Sequence, residues 1–353
     1  MPTEIPLRAR LRAMRPTAIR ALNDAKPPGA IDLGLGQPVV DAPPELVAAA
    51  SAALPGWASY SANAGLPALR ERIAASEQAE PDGVIVTAGS AQAIFLVMAG
   101  LLEVGDEVLV PDPGYPAYAR VASLCGVEAH TYPLLAPGPD GGGFTFAPES
   151  VLARLTPRTK LVVLNTPSNP CGAIPDPASL RLLFDELARR GVPYLSDEVY
   201  AAWDFRSVAQ PFRARAFSDH GFVVGSLSKS HALMGWRLGW LVGPASSCRA
   251  LIPLQQLTVT CAPVPMQHAA LLAFSPAGTA AAARLRDELA QRRTRAVELV
   301  AQLPDVPPPS SQGGLYLFVD VRAYPGATDE RLAFALLRHG VVVVPGNGFG
   351  EQG

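Results

Sequence analysis

From residue 84 onward, short apolar runs rich in β-branched residues alternate with stretches of helical periodicity. The apolar runs lie at 84–87, 107–111, 127–132, 161–164, 192–196, 222–225 and 238–242. Helical stretches at 90–102, 116–124 and 178–190 stand between them. Because continuous apolar strands separated by helices must be covered on both faces, the pattern predicts a three-layer α/β fold with a mostly parallel sheet.

The order of predicted helices and strands changes after Pro265. The elements predicted there are a long helix at 277–303, a proline-rich break at 304–309, a strand at 314–321, a helix at 329–338 and a strand at 341–344. This order is typical of a second, smaller α+β domain. We therefore expect a large domain over 45–262, and an N-terminal arm plus small domain formed by 1–44 and 263–353.

Charge and cysteine content exclude several classes of function. The 353 residues carry a net charge of only −2, so no nucleic-acid surface is expected. No apolar run approaches the ~18 residues of a membrane span, and no metal site is predicted. The four cysteines are widely spaced, with no C-x-x-C pair and no secretory signal, which favours free thiols in the reducing cytoplasm. The arginines between residues 8 and 20 are also typical of a transit peptide. Because the chain continues directly from them into the segment 31–38, the sequence favours an ordinary N-terminal arm of the protein.

One lysine stands out for its neighbours. The chain contains only Lys26, Lys160 and Lys229. Lys229 follows an apolar run, is flanked by Ser226 and Ser228, and precedes Arg237 by eight residues. An amine among hydroxyls with a guanidinium nearby suggests a carbonyl-reactive lysine beside an anion site. A solvated surface lysine is the alternative, and the local sequence leaves both interpretations open.

Further polar residues follow the predicted strands, at the edge where open α/β sheets bind ligands. Ser90 and Ala91 follow the run 84–87, and Asn169 follows 161–164. Asp197 and Tyr200 follow 192–196. Each residue alone is explained by a helix cap or a turn. Their joint occurrence at one sheet edge favours a binding site.

With these motifs the sequence resembles the class I/II aminotransferases, the aspartate-aminotransferase-like branch of fold-type-I pyridoxal-phosphate (PLP) enzymes. The resemblance covers about residues 31–348. It is carried by Ser226-Leu-Ser-Lys229, by Gly235-Trp-Arg237-Leu-Gly239 and by Asn169 in Pro-Ser-Asn-Pro-x-Gly. It implies ping-pong transfer of an amino group between an L-amino acid and a 2-oxo acid.

The resemblance implies a role for each residue that contacts the cofactor ring. Lys229 would form the Schiff base with PLP and then act as general base and acid, with a pKa lowered by its surroundings. Asp197 would pair with the pyridinium nitrogen and keep it protonated. Asn169 and Tyr200 would hydrogen-bond the phenolic oxygen. Tyr115 would stack on the ring, although ordinary core packing also explains it.

The same resemblance implies where the phosphate and substrate bind. Backbone N–H groups of Ser90 and Ala91 at a helix N-terminus would hold the phosphate. The side chains that would complete this site are those of Ser226, Ser228 and Arg237, the last bidentate. Tyr60 would reach the phosphate from a second subunit, which implies a homodimer with shared active sites. Gly36 and Asn169 would lie close to the substrate carboxylate.

The sequence departs from the family pattern at one place. The family arginine that clamps the substrate carboxylate follows the segment equivalent to 341–350, and the printed sequence ends at Gly353 before it. Because 346–353 ends in a loop without a closing strand or helix, we interpret the arginine as lying in sequence beyond this chain. The alternative is that another residue of this chain binds the substrate carboxylate.

Three other functions compete with aminotransfer. Ser226 and Lys229 satisfy the S-x-x-K motif of serine acyl-transferring enzymes, but the chain has no K-T-G and the S-x-N at 61–63 precedes the motif. A sensor domain of a transcription factor would need a DNA-binding module before residue 31. β-Elimination, cyclisation or decarboxylation would use the same cofactor residues, so the sequence does not separate these reactions from transamination.

Overall fold

The computed structural model describes residues 8–14, 22, 24–56, 59–135, 144–206, 212–324, 326 and 328–353. The strands are β1 Ile31–Asp32, β2 Val84–Thr87, β3 Glu107–Asp112, β4 Glu128–Pro133, β5 Thr159–Asn165, β6 Tyr194–Asp197, β7 Gly221–Ser226, β8 Gly239–Val242 and β9 Val341–Val342. The helices are α1 Ala9–Ala13, α2 Pro44–Ala53, α3 Pro67–Ser76, α4 Ser90–Leu101, α5 Ala117–Cys125, α6 Pro148–Leu152, α7 Pro177–Arg189, α8 Leu227–Ser230, α9 Ala245–Val259, α10 Val264–Ala273, α11 Pro276–Val300 and α12 Asp329–Arg338. None of these helices combines the length and apolarity needed to cross a membrane.

Seven strands form one sheet in the order β2-β8-β7-β6-β5-β3-β4. Neighbours from β7 to β4 are parallel, whereas β8 is antiparallel to both β7 and β2. The predicted three-layer α/β fold with a mostly parallel sheet is thereby confirmed. The register pairs Asn165 with Asp197 and Asp197 with Val224, so the carboxyl ends of β5, β6 and β7 meet at one edge.

Both faces of the sheet are buried, as the continuous apolar runs require. In β5, Val162 and Leu164 enter the core on one face, whereas Leu161 and Val163 enter the core on the other. This division follows from the period of two along a strand. The two cores fix the sheet between helical layers, and therefore fix the edge where polar side chains gather.

The C-terminal third differs in part from its prediction. The helices expected at 277–303 and 329–338 are present as α11 and α12. The strand predicted at 314–321 is wrong, and the one at 341–344 is reduced to β9, which pairs in parallel with β1. Within 313–321, all of it described, no residue pairs in a strand, and the one bridge joins Gly313 to Asp204. An apolar alternating pattern without a partner strand cannot form a ladder.

Candidate active site

Lys229 lies on the short helix α8, directly after the carboxyl end of β7. Its side chain is half-buried, and its amine donates a hydrogen bond to the carbonyl oxygen of Gly36. Burial, and then the positive charge of Arg237, lower the pKa of Lys229 to about 8, against an opposing attraction from Asp197. An amine with this pKa is neutral in about half the molecules near pH 8, so it is able to act as a nucleophile or base.

Asp197 lies at the end of β6 and is fully enclosed. One carboxylate oxygen accepts a hydrogen bond from the hydroxyl of Tyr118 at 2.7 Å, and the other accepts the N–H of Val199 at 3.3 Å. Burial raises the pKa of Asp197 to about 6, although the hydrogen bond from Tyr118 opposes this shift. A buried carboxylate of this kind is stabilised by a cation placed beside it.

Tyr118 is a site residue that the sequence analysis missed. It lies on α5, three residues after Tyr115, and the two rings meet edge to face with centroids 5.4 Å apart. Burial, and then the charge of Asp197, raise the pKa of Tyr118 well above its ordinary value, so it remains a donor. The sequence signal for it was a second tyrosine three residues after Tyr115, in Tyr-Pro-Ala-Tyr.

Asn169 lies in the loop after β5, and Tyr200 follows β6, which ends at Asp197. The backbone N–H of Asn169 donates to Oδ1 of Asn165 at 2.6 Å, which fixes the loop after β5. The Oδ1 atom of Asn169 itself is buried without a hydrogen-bond partner among the described residues. Such an atom marks a place where a missing ligand would complete the hydrogen bonding.

Ser90 and Ala91 begin α4, so their N–H groups have no partner within the helix. The preceding Gly89 has φ +84°, and a Cβ placed there would lie 2.4 Å from a guanidinium nitrogen of Arg237. A Cβ at Gly239 would lie 2.8 Å from the backbone nitrogen of Ser90. Glycines at both positions therefore let strand β8 and Arg237 approach the helix start, which creates an anion-binding cradle.

The two serines before Lys229 differ in their contacts. Ser226 caps α8, because its hydroxyl accepts the N–H of Ser228 at 3.0 Å, and it also lies 2.9 Å from the carbonyl of Leu238. The hydroxyls of Ser226 and Ser228 are 2.8 Å apart. Both serines thus lie at the cradle, but the Ser226 hydroxyl is already engaged inside the protein. Their binding of phosphate remains a prediction.

Of the remaining predicted residues, Tyr115 and Gly36 are partly buried in the site, whereas Tyr60 is exposed. Tyr115 is half-buried, close enough to Asp197 for that charge, after burial, to raise the pKa of Tyr115. Gly36 lies against the ring of Tyr316 and beneath the Lys229 amine. Tyr60 is 82% exposed, and its side chain forms no hydrogen bond or ring contact with any other described residue.

These groups fit PLP chemically. The cradle at Ser90 and Arg237 offers helix N–H donors and positive charge to a phosphate, and Asp197 offers a buried carboxylate to a ring cation. Lys229 supplies the amine, and the buried Oδ1 of Asn169 is an acceptor still open to a donor such as the ring hydroxyl. Fold and site together define a PLP-dependent enzyme of fold type I.

Comparison with known proteins narrows this class to a family. The family model described as aminotransferase class I and II matches residues 28–353. The chain belongs to this family, whose members transfer amino groups between amino acids and 2-oxo acids.

The relatives that this chain matches include aminotransferases named for different substrates. The chain is 35% identical to an arginine–pyruvate transaminase of Pseudomonas aeruginosa over 329 residues, which cover 91% of this chain and 82% of that protein. It is 34% identical to a valine–pyruvate aminotransferase of Mycobacterium tuberculosis, with 90% and 83% covered. A solved aspartate aminotransferase of Thermus thermophilus, a single mutant, matches with a TM-score of 0.89 at 29% identity, covering 98% of this chain and 93% of its own.

Proposed function

We propose that this chain is a PLP-dependent aminotransferase that uses Lys229 as both the cofactor-attachment residue and the proton-transfer group. The observation that carries the proposal is the half-buried Lys229 amine, which directly follows the carboxyl end of β7 and lies close enough to Arg237 and Asp197 for both charges to act on its pKa. PLP, when bound, supplies an aldehyde for covalent attachment and a ring that withdraws electrons from the reacting carbon. Lys229 holds or releases the proton at Nζ during the exchange.

The other residues orient and polarise the cofactor in this proposal. Asp197 holds a proton on the ring nitrogen through its negative charge, and Tyr118 keeps that carboxylate in place and ionised. Asn169 and Tyr200 would hydrogen-bond the ring hydroxyl, and Tyr115 would stack on the ring. The helix start at Ser90, with Arg237, holds the phosphate.

A panel of amino acids tests the proposed reaction. The loaded enzyme is mixed with one L-amino acid at a time, without an oxo acid, and the absorbance of the cofactor is followed. Conversion to the pyridoxamine form, reversed by a 2-oxo acid, is the expected result for ping-pong transamination. Release of pyruvate or of carbon dioxide without this conversion would instead identify an elimination or a decarboxylation.

The hydrogen bond from Tyr118 to Asp197 gives a specific prediction. We expect Tyr118→Phe to raise the pKa of Asp197 further, because a donor to the ionised carboxylate is lost. Cofactor affinity at pH 7 should then fall about 10-fold, the usual cost of one hydrogen bond to a charge. The measurement is the PLP dissociation constant as a function of pH, read from cofactor absorbance.

Tyr132→Phe is the matched control for this prediction. Tyr132 is also fully buried, but its hydroxyl donates to the carbonyl of Val163 at 2.8 Å, within the core. Its removal should lower stability and leave the pH dependence of cofactor binding unchanged. Equal pH profiles for the two variants would contradict a role of Tyr118 in holding Asp197.

The proposal includes a homodimer in which Tyr60 contacts the partner's phosphate site. Tyr60 and Leu257 are more than four-fifths exposed, and Val259, two residues after Leu257, is 39% exposed. The two segments are joined because the amide of Asn63 donates to the carbonyl of Thr260 at 2.9 Å. An exposed apolar surface of this kind supports pairing with a second copy.

Mixed dimers test the shared site. We expect Tyr60→Phe to weaken PLP binding about 10-fold through loss of a hydrogen bond to the phosphate. Random co-assembly of Tyr60→Phe with Lys229→Ala protomers should restore about a quarter of the sites to normal affinity, because half the dimers are mixed and each has one intact site. Spectral titration of PLP measures this, and a fully active monomer would contradict the arrangement.

We also propose a cytoplasmic location, and a division into a large domain over 45–262 and an N-terminal arm plus small domain formed by 1–44 and 263–353. The support for the location is that Cys125, Cys171, Cys248 and Cys261 are all free thiols, which suits a reducing compartment. The support for the division is that the seven-stranded sheet lies wholly within 84–242, whereas β1 pairs with β9 in a separate sheet. Cell fractionation and limited proteolysis test these two statements.

A further inference from the structure

The carboxylate of Asp112 accepts two backbone N–H groups from a distant part of the chain. Asp112 ends strand β3, and it is only 3% exposed. Its Oδ2 atom accepts the N–H of Glu351 at 3.2 Å, and its Oδ1 atom accepts the N–H of Gln352 at 3.1 Å. The two partners lie 239 and 240 residues after Asp112. Because a buried charge is costly unless it is hydrogen-bonded, these N–H groups stabilise the ionised side chain.

The segment 349–352 fits this carboxylate closely. Gly350 has φ +143°, and a Cβ placed there would lie 2.0 Å from Oδ1 of Asp112. A glycine is therefore required for the carboxylate to reach the next two N–H groups. Phe349, directly before it, is buried, and its ring packs edge to face against that of Phe318 with centroids 6.2 Å apart. The segment is thus fixed by packing as well as by the carboxylate.

The same segment also holds the turn that follows β3. The carbonyl oxygen of Phe349 accepts the N–H of Gly114 at 2.8 Å. Together with the two contacts of the carboxylate, three hydrogen bonds join the segment 349–352 to residues 112–114. The residue that follows Gly114 is Tyr115, so these hydrogen bonds fix the backbone from which its ring projects.

We propose that Asp112 is a positioning residue, which holds the segment 349–352 against the turn after β3 and thereby fixes Tyr115 at the cofactor ring. The proposal rests on the proposed function, because Tyr115 would stack on that ring. Asp112 acts through Tyr115 and not by contact with the reacting atoms. Since the ring of Tyr115 also meets that of Tyr118, which donates to Asp197, a displaced turn would disturb two groups that serve the ring.

Amide hydrogen exchange in the holoenzyme measures the contact itself. We expect Asp112→Ala to speed exchange of the Glu351 and Gln352 amides about 10-fold or more, because both lose a hydrogen bond to a charged group. Asp112→Asn keeps one acceptor oxygen and should have an intermediate effect. Asp176→Ala is the matched control, since that carboxylate also accepts two backbone N–H groups, at the start of α7. Unchanged exchange in Asp112→Ala would overturn the proposal.

The bound cofactor reports whether this contact acts through Tyr115. We expect Asp112→Ala to change the circular dichroism of bound PLP and to raise its dissociation constant between about 2-fold and 10-fold, the range for one aromatic pair. Asp176→Ala should leave both unchanged. In a Tyr115→Ala background, Asp112→Ala should weaken PLP binding little further, because the ring that it positions is gone. Losses that multiply in the double variant would show that Asp112 acts by another route.

Gly350→Ala approaches the same contact from the other side. The added Cβ should displace the carboxylate of Asp112, speed exchange of the same two amides and weaken PLP binding. Adding Asp112→Asn to this variant should then cost little more. Together with Asp112→Asn, it keeps the proposal testable if Asp112→Ala folds poorly. Independent, multiplicative losses would contradict a shared contact.

Borohydride trapping of PLP on Lys229 separates this proposal from the proposed function. If wild-type protein shows no trapped lysine, the proposed function fails, and the role of Asp112 at the cofactor fails with it. If trapping is normal in the wild type, and Asp112→Ala binds PLP with wild-type affinity and circular dichroism, the function stands and only the role of Asp112 is wrong.

Discussion

Lys229→Ala is expected to abolish covalent attachment of PLP and to lower amino-group transfer by about 10⁴-fold or more, since proton transfer alone contributes up to ~10⁴-fold. The reason is that no second amine lies near Asp197 among the described residues. Lys26 forms an ion pair with Asp32, and Lys160 donates to the carbonyl of Pro157. The measurement is borohydride reduction followed by peptide mapping, together with single-turnover rates.

Lys160→Ala is the matched control for that experiment. Its amine is exposed and hydrogen-bonded outside the site, so its removal should leave both trapping and turnover unchanged. The Lys229→Ala protein should still bind PLP without a covalent bond, because the phosphate cradle at Ser90 and Arg237 is intact. Recovery of a reduced adduct on Lys26 or Lys160 from wild-type protein would contradict the assignment.

Asp197→Asn is expected to have the second largest effect. Removing one partner of a buried ion pair costs about 3–5 kcal/mol, so cofactor affinity or turnover should fall by roughly 10²-fold to 5 × 10³-fold. The pH profile gives a second readout. Because burial raises the pKa of Asp197 to about 6, the wild-type carboxyl is neutral below that pH and cofactor affinity should decline there.

The pH dependence distinguishes a charge effect from a loss of structure. In Asp197→Asn the group no longer ionises, so the decline in PLP affinity below about pH 6 should disappear. Glu198→Gln is the matched control, since Glu198 is equally buried but faces away, accepting the N–H of Ala214 at 2.8 Å and pairing with Arg213. A retained pH profile in Asp197→Asn would show that another group controls it.

The fold was predictable from the sequence because its signal is local. Continuous apolar runs predicted strands buried on both faces, and β5 and β7 are buried in this way. The strand predicted at 314–321 is wrong, because this segment pairs with no neighbouring strand. Whether an alternating segment becomes a strand depends on a neighbour with free N–H and C=O groups, which is a property of the whole chain.

The candidate site was predictable only in part. Asn169, Asp197 and Lys229 follow strands, so the strand order placed them at one edge before any contact was known. Tyr118 was not found. The hydroxyl of Tyr118 meets a carboxylate 79 residues later in the chain, and no periodicity within one sequence encodes such a contact.

The sequence by itself determined which chemical groups this protein has and the sheet edge at which they gather, because strand–helix alternation constrains topology. Only the tertiary structure decided how those groups act. The Lys229 amine contacts Gly36, 193 residues away, and its pKa of about 8 comes from burial and from Arg237. Burial and long-range contacts arise only when distant segments pack together, so the reactivity of this lysine is a property of the fold.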